Sequence, residues 1–468
     1  MLGTYALQKI YTCSKNSRIK TQQGVFRGLL GIFLSVCPAV AADGGGTPVR
    51  YDLAACIARV LEVSPAVRAA EADVRIAEAQ LAQAQAARLL PKFDFTWMVG
   101  PSPEARGNAL VGDTDLSSLS VFTRTEASLV QPIYTFGKLK AAQDAAKGGR
   151  SVRRAGLQKT RVDLELQVTE AYYLRLLTKE LWRLAEEAQE EIRKARNNVE
   201  EGLEEDTGEY TYTDLARLDR FVYDVEENAN KVGKGSALAA SALRMLLDLS
   251  STDSIALVEE RLSPLQVEIL PLEDYVRQAE RRADLRQLRA GIEVRKALVQ
   301  AARSSYFPQF FLGGQLKYSY APNRDDITSP FARDDFNFFQ GGVILGIRQD
   351  LSFAGTSARV RKARLEHQKL VYQGTLARKG AELEVEKIYR TLREAEANVV
   401  ASNKAVKATR RWFISARDGF NAGLEEASEL IDAVKQYGII RAKHYHNIFE
   451  FNRTWAALQK ATGHSIVE

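Results

Sequence analysis

Gln131-Pro-Ile-Tyr-Thr-Phe-Gly137 is the stretch on which the fold turns, because the chain repeats it 218 residues later as Gln349-Asp-Leu-Ser-Phe-Ala-Gly355. Each copy follows a segment of alternating polarity and precedes a long run without proline, so it marks a joint between two kinds of backbone. Two further stretches recur at nearly the same offset. Leu89-Leu-Pro91-Lys-Phe93 returns as Tyr306-Phe-Pro308-Gln-Phe310, and Glu201-Gly-Leu-Glu-Glu205 as Ala422-Gly-Leu-Glu-Glu426. Three matches in one order are the mark of an internal duplication. Each half then reads helix, Pro, strand, loop, strand, Gly, long helix, Gly-Leu turn, returning helix.

On the helical side of the joints, no proline occurs between Pro132 and Pro264, or after Pro330, and both stretches are rich in Ala, Leu, Glu, Lys and Arg. Val162, Leu166, Thr169, Tyr173 and Leu176 recur with 4-3-4-3 spacing, as do Ile388, Leu392, Ala395, Val399, Ser402 and Val406. Such seams belong to helices packed lengthwise on one another. From Gly137 to Gly202, and from Gly355 to Gly423, each helix would run on the order of 100 Å at 1.5 Å per residue. On the other side, Phe93, Phe95, Trp97 and Val99 share one face of a segment, and Leu119, Val121, Ala127 and Leu129 oppose Ser120, Arg124, Glu126 and Ser128. Phe310, Leu312, Leu316, Tyr318 and Tyr320 oppose Gln309, Gln315, Lys317 and Ser319, and Val343, Leu345 and Ile347 oppose Gly342, Gly346 and Arg348. Period two with aromatics near the ends suits strands with lipid on one side and water on the other. Polar loops, Pro101 to Ser118 and Ala321 to Asp335, join each pair. Four strands cannot close a barrel around a passage, and an open edge in lipid leaves backbone groups unpaired, so the chain must oligomerise.

The expected organisation is a signal peptide over 1–42, a first repeat over 43–265 and a second over 266–468. Strands fall near 93–100, 119–131, 309–320 and 338–350, and long helical hairpins over 137–250 and 355–463. The leader carries Lys9, Lys15, Arg18, Lys20 and Arg27, then the apolar run Gly28 to Cys37, then Pro38-Ala-Val-Ala-Ala42, the order of an export signal. The chain's formal charge is +6, but without that leader 60 basic residues face 59 acidic ones. A nucleic-acid partner therefore loses its main support. Val36-Cys37 only loosely matches a lipoprotein signal, and cleavage near Ala41 or Ala42 leaves Cys56 as the sole cysteine, with no intramolecular disulfide.

These residues resemble the TolC-like outer-membrane efflux protein family, the outer-membrane factors, over about Asp52 to Gly463. The joints are similar to that family's Gln-Pro-Leu/Ile-Phe-x-x-Gly, with Asp350 in place of Pro in the second. Ala145-Ala146 and Ala363 match the Ala that follows. Arg282-Ala-Asp-Leu285 is similar to the Arg-Pro-Asp-Leu that opens the family's second repeat. The resemblance implies a mainly α fold with membrane β: a homotrimer whose 12-stranded β-barrel, four strands per chain, sits in outer-membrane lipid and continues as a long α-helical barrel in the periplasm. It implies two partners, a periplasmic adaptor (membrane fusion) protein and an inner-membrane RND or ABC transporter, as in tripartite efflux or type I secretion, and no cofactor.

The joints carry Pro132, Gly137 and Gly355: Gly tolerates a sharp bend from strand to helix, and Pro ends a ladder without leaving an N–H unpaired. The Gly-Leu turns at Gly202-Leu203 and Gly423-Leu424 read as helix C-caps, and the resemblance makes them the tip that docks the adaptor. It also makes Glu429 and Asp432 acidic rings at a closed entrance, where spacing of three puts both on one helical face. Asp214 roughly parallels Glu429, behind about six residues inserted within Asp206 to Thr213. Enzyme chemistry finds no foothold. His444 and His446 point to different helix faces, His367 and His464 have no evident ligand partner, and neither a nucleophile elbow, a zinc pattern nor a phosphate loop is present. A periplasmic coiled-coil scaffold or adaptor without a barrel is the alternative; it accounts for the signal and the seams and leaves the four alternating segments unexplained.

Overall fold

The computed structural model describes residues 50–107, 112–205, 210–250, 253, 255–327, 331 and 333–466. The expected signal segment lies outside the described residues. A short strand β1 (Arg50–Tyr51) leads into α1 (Leu53–Val63), which Asp52 caps by accepting from the Ala55 amide at 2.6 Å, and α2 (Pro65–Leu89). Then come β2 (Lys92–Gly107), β3 (Gly112–Tyr134), α3 (Lys138–Glu204), α4 (Tyr212–Leu246) and β4 (Ala256–Leu257), which pairs in parallel with β1. The second half supplies α5 (Leu272–Gln278), α6 (Ala283–Arg303), β5 (Gln309–Tyr320), β6 (Phe338–Arg348), α7 (Phe353–Asn421) and α8 (Ala427–Thr462).

The four long strands form one antiparallel sheet in the order β2-β3-β5-β6. The first hairpin corrects an expectation. Its strands do not stop near Gly100 and resume near Leu119; they continue through the supposed loop until Gly107 faces Gly112. Pro101 and Pro103 had marked this stretch as a loop. They lie two apart on an edge strand, so their missing N–H groups fall on one side of it, and a register shift between Pro103 and Glu104 absorbs the irregularity.

At 67 and 69 residues, α3 and α7 are each about 100 Å long. The 4-3 seams lie inside: Val162, Thr169, Tyr173, Leu176, Leu392, Ala395 and Ser402 are buried. Three apolar clusters are strung along the helices. One joins Cys56, Val60, Tyr172, Leu243 and Ile448; a second Tyr275, Val385, Leu392 and Leu458; the third, at the hairpin ends, Ile192, Leu218, Phe221, Phe420 and Leu430. The segment between α4 and α5 is tied to α8 by the fully buried Asn452. Its Nδ2 donates to the Ser263 carbonyl at 2.9 Å and its Oδ1 accepts from the Leu265 amide at 3.0 Å. Among the described residues no helix is long and apolar enough to cross a membrane.

Candidate functional site: strand wall, joints and tip

Cross-strand register decides which side chains share a face. Phe93 opposes Leu129, Ala127 opposes both Phe95 and Leu316, Tyr318 opposes Phe339, and Leu312 opposes Leu345. The four separate alternations thus merge into one apolar face, and it is bare: Phe95 is 61% and Val343 75% exposed. The opposite face carries Lys92, Asp94, Arg124, Glu126, Gln315, Lys317, Gln340 and Arg348. Lys92 pairs with Asp94 at 3.0 Å and Lys317 with Glu126 at 3.7 Å. Beyond the wall, the extended β2–β3 hairpin is clamped to the β5–β6 loop. Arg324 pairs with the buried Asp334 at 2.6 Å and donates to the Pro103 carbonyl at 2.6 Å, while Asp325 accepts from the Gly107 amide at 3.0 Å.

The two joints are built differently. In the first, Pro132 lies within β3 opposite Phe311, at a register shift that ends at Tyr134, so the ladder bulges at Pro132 and continues past it. The bend follows at Phe136 (φ 48°) and Gly137 (φ 86°), both left-handed. Glycine adopts that conformation freely, and Phe136 is held in it by its ring, stacked on Phe307 at 4.9 Å and edge-on to Tyr134 at 4.7 Å. In the second joint Gly355 is not the bend. Helix α7 begins two residues earlier, at Phe353, and no positive φ occurs there among the described residues. The turn is made by Asp350, whose carboxylate accepts from the Ser352 amide at 2.9 Å and pairs with Arg359 at 3.0 Å. Those partners, the Ser352 hydroxyl first among them, hold its pKa at about 2.

At the far end the duplicated Gly-Leu pairs have also diverged. Gly423 (φ 70°) closes α7 in a Schellman motif: its amide donates to the Phe420 carbonyl at 3.0 Å and that of Leu424 to Gly419 at 2.9 Å. The residue usually packed against Leu424 in such a motif is here Gly419, which offers no side chain, and Leu424 stands 82% exposed. Gly202, by contrast, is inside α3, which runs on to Glu204, and Leu203 is half-buried against the tip cluster. The expectation that Gly202 caps its helix is therefore corrected, while that at Gly423 holds. Part of the insertion after Glu205 falls outside the described residues; the rest has clear work. Tyr210 packs on Phe420 with ring centroids 5.4 Å apart, and its hydroxyl donates to the Phe420 carbonyl at 3.3 Å. Thr211 caps α4.

That cap also corrects the reading of Asp214. Its amide donates to Thr211 Oγ1 at 3.2 Å and its carboxylate accepts from the Thr211 amide at 3.1 Å, a reciprocal capping box. The Thr-x-x-Asp spacing that signals this was present in the sequence. Glu429, half-buried in the first turn of α8, accepts from the Trp412 indole at 2.7 Å across the hairpin, whereas Asp432 is exposed. Arg217 reaches from α4 to Glu426 at 3.5 Å, binding the two hairpins together near their ends.

An open sheet with one bare apolar face, continued by helices about 100 Å long, is the build of an outer-membrane duct. The family comparison agrees. A model of the outer membrane efflux protein family matches the chain twice, over residues 56–247 and 275–464. The chain belongs to the outer membrane efflux protein family. Comparison with curated protein sequences returns no match. Among solved structures, CusC superposes with a TM-score of 0.74 at 19% identity, covering 89% of this chain and 93% of that one. The CmeC outer membrane channel of Campylobacter jejuni gives 0.71 at 15%, covering 88% and 85%. The outer membrane protein VceC of Vibrio cholerae gives 0.71 at 18%, covering 88% and 96%. At such identities the likeness is one of fold. By the family match this is an outer-membrane efflux protein. His444 is half-buried, its Nδ1 2.9 Å from the Ser402 hydroxyl.

Proposed function

We propose that three copies of this chain close into a barrel in the outer membrane and form the passive exit duct of a tripartite efflux or type I secretion system. Each copy is docked by a periplasmic adaptor that an inner-membrane RND or ABC transporter accompanies. The observation that carries this reading is the four-stranded sheet, apolar on one face, whose outer strands β2 and β6 each have a neighbouring strand on one side only among the described residues, β2 being bridged beyond it at Ala105 alone. In lipid those edges must be satisfied, and a ring in which β6 of one copy meets β2 of the next does so.

Docking falls to the second tip, where Gly423 exposes backbone and Leu424 offers an apolar side chain to a helical hairpin. Leu424→Asp should abolish export while heat-resistant trimers still reach the outer membrane; normal export by that variant would remove the docking role. The entrance falls to Glu429 and Asp432, one turn apart near the same tip. Three copies would place six carboxylates around the axis, a cation-favouring ring. In planar bilayers Glu429→Ala with Asp432→Ala should weaken cation preference, and unchanged selectivity would sink the assignment. Asp214 remains outside this proposal because its carboxylate is committed to the α4 cap.

A further inference from the structure

Six ionisable residues lie on the polar face of the strand wall: Lys92, Asp94, Arg124, Glu126, Lys317 and Arg348. Both acids are taken, Asp94 by Lys92 and Glu126 by Lys317. Neither arginine has a carboxylate partner among the described residues. Each is built in the same way instead. Phe311 on β5 is paired directly with Gly346 on β6 and lies across it, since a Cβ on Gly346 would come within 2.5 Å of the ring; the Arg348 guanidinium sits 5.3 Å from that ring's centre. Phe122 on β3 is paired with Gly100 on β2 and lies across it in turn, at 2.8 Å from where a Cβ would stand, with Arg124 at 5.4 Å. A glycine lets the ring lie flat against the wall, and the ring supports a cation on its inner side.

Through strand pairing, Arg124 is level with Ser319 and Phe338, and Phe338 is ten residues of β6 from Arg348. At about 3.4 Å per residue the two positions stand roughly 34 Å apart measured along the strands. We propose that Arg348 and Arg124 form two tiers of uncompensated arginine over phenylalanine on the inner wall, one toward each end of the membrane passage. The tiers attract and transiently hold exiting organic anions, the acid group on guanidinium and the apolar body on the rings. This rests on the trimeric-duct reading. Arg124 also donates to the Asp335 carbonyl at 2.5 Å and so steadies the outer loop, whereas Arg348 is exposed and makes the cleaner test.

Purified trimers are placed in planar bilayers under a tenfold KCl gradient, in a Glu429→Gln, Asp432→Asn background so that the acidic entrance does not set selectivity. Arg348→Gln should lower the chloride-to-potassium permeability ratio about twofold, and Arg124→Gln added to it should lower the ratio further. Block by 1-naphthalenesulfonate from the outer side should weaken about tenfold. Arg348→Lys should keep the permeability ratio and lose part of the block. The charge-neutral double change Glu126→Gln, Lys317→Gln should alter neither. Pores whose ratio and block ignore Arg348→Gln, or that shift equally in the neutral control, overturn the proposal. Wild-type protein that forms neither trimers nor pores is a different result, and sinks the duct reading instead.

Discussion

Replacing Gly137 and Gly355 by alanine, one at a time, should move stability in opposite directions although the two glycines occupy the same place in the repeated motif. At Gly137 the backbone sits at φ 86° with nothing within 4 Å of an added Cβ, so the whole penalty is conformational. Alanine in the left-handed region costs about 1 kcal/mol or somewhat more. Gly355 is helical, and a Cβ there would meet only the Ser352 hydroxyl at 3.9 Å. Alanine should gain roughly 0.5–1 kcal/mol from helix propensity, less so close to an N-terminus. The variants therefore differ by about 1.5–2 kcal/mol per chain, roughly tenfold or more in a rate. For an assembly that unfolds irreversibly the proper observable is the half-life of the heat-resistant trimer in detergent at a fixed temperature. Gly137→Ala should shorten it and Gly355→Ala leave it equal or longer. Equal shortening by both would mean that the joints are built alike, and would refute the account of Asp350 as the second joint's turn-maker.

Other outcomes follow from the same geometry. Leu203→Asp should destabilise the tip, raising proteolysis near Glu205, because it sets a charge against the cluster around Phe420 and Leu430; Leu424→Asp should leave proteolysis unchanged. The folded pKa of Asp350, about 2, lies below the usual carboxylate value, so its support is complete above about pH 4 and is lost as pH falls from there toward 2. Trimer half-life should decline across that window in the wild type and less steeply in Asp350→Asn, which should be weaker than wild type at neutral pH. Asn452→Leu should remove both hydrogen bonds that hold the Ser263–Leu265 stretch against α8, a loss of about 0.5–1.5 kcal/mol each; limited proteolysis should then cut between α4 and α5.

What could be read from the chain was whatever repeats with a fixed period. The 4-3 seams were legible because a helix must bury one stripe, and the alternations because a membrane strand must keep lipid and water apart. The outer extension of β2 and β3 was hidden by Pro101 and Pro103, which mark loops in most settings and here sit on a protomer-edge strand. Contacts between elements were invisible in principle. Nothing in the residues around Glu429 announces Trp412, seventeen positions away on the other arm of the hairpin, and nothing near Arg348 announces Phe311.

Where the halves differ is more informative than where they agree. The two joints share their first Gln and last Gly and the two tips share Gly-Leu-Glu-Glu, yet the members of each pair are built differently. Gly137 kept the bend, while Asp350 took over the turn and freed Gly355 to be an ordinary helical residue. Gly423 kept the cap, while α3 runs through Gly202. The inserted Tyr210 packs on Phe420 and bonds the carbonyl to which the Gly423 amide also donates. The first tip thus braces the end of the second from behind, and Arg217 does the same at Glu426. A brace on that end leaves Leu424 exposed and fixed in place. If docking is to move the entrance at Glu429 and Asp432, force applied at Leu424 passes into α8 within five residues, and the brace from the first half is what it must work against. Tyr210→Ala should then ease opening: leak conductance of the isolated trimer should rise, and an unchanged leak would show that the first tip restrains nothing.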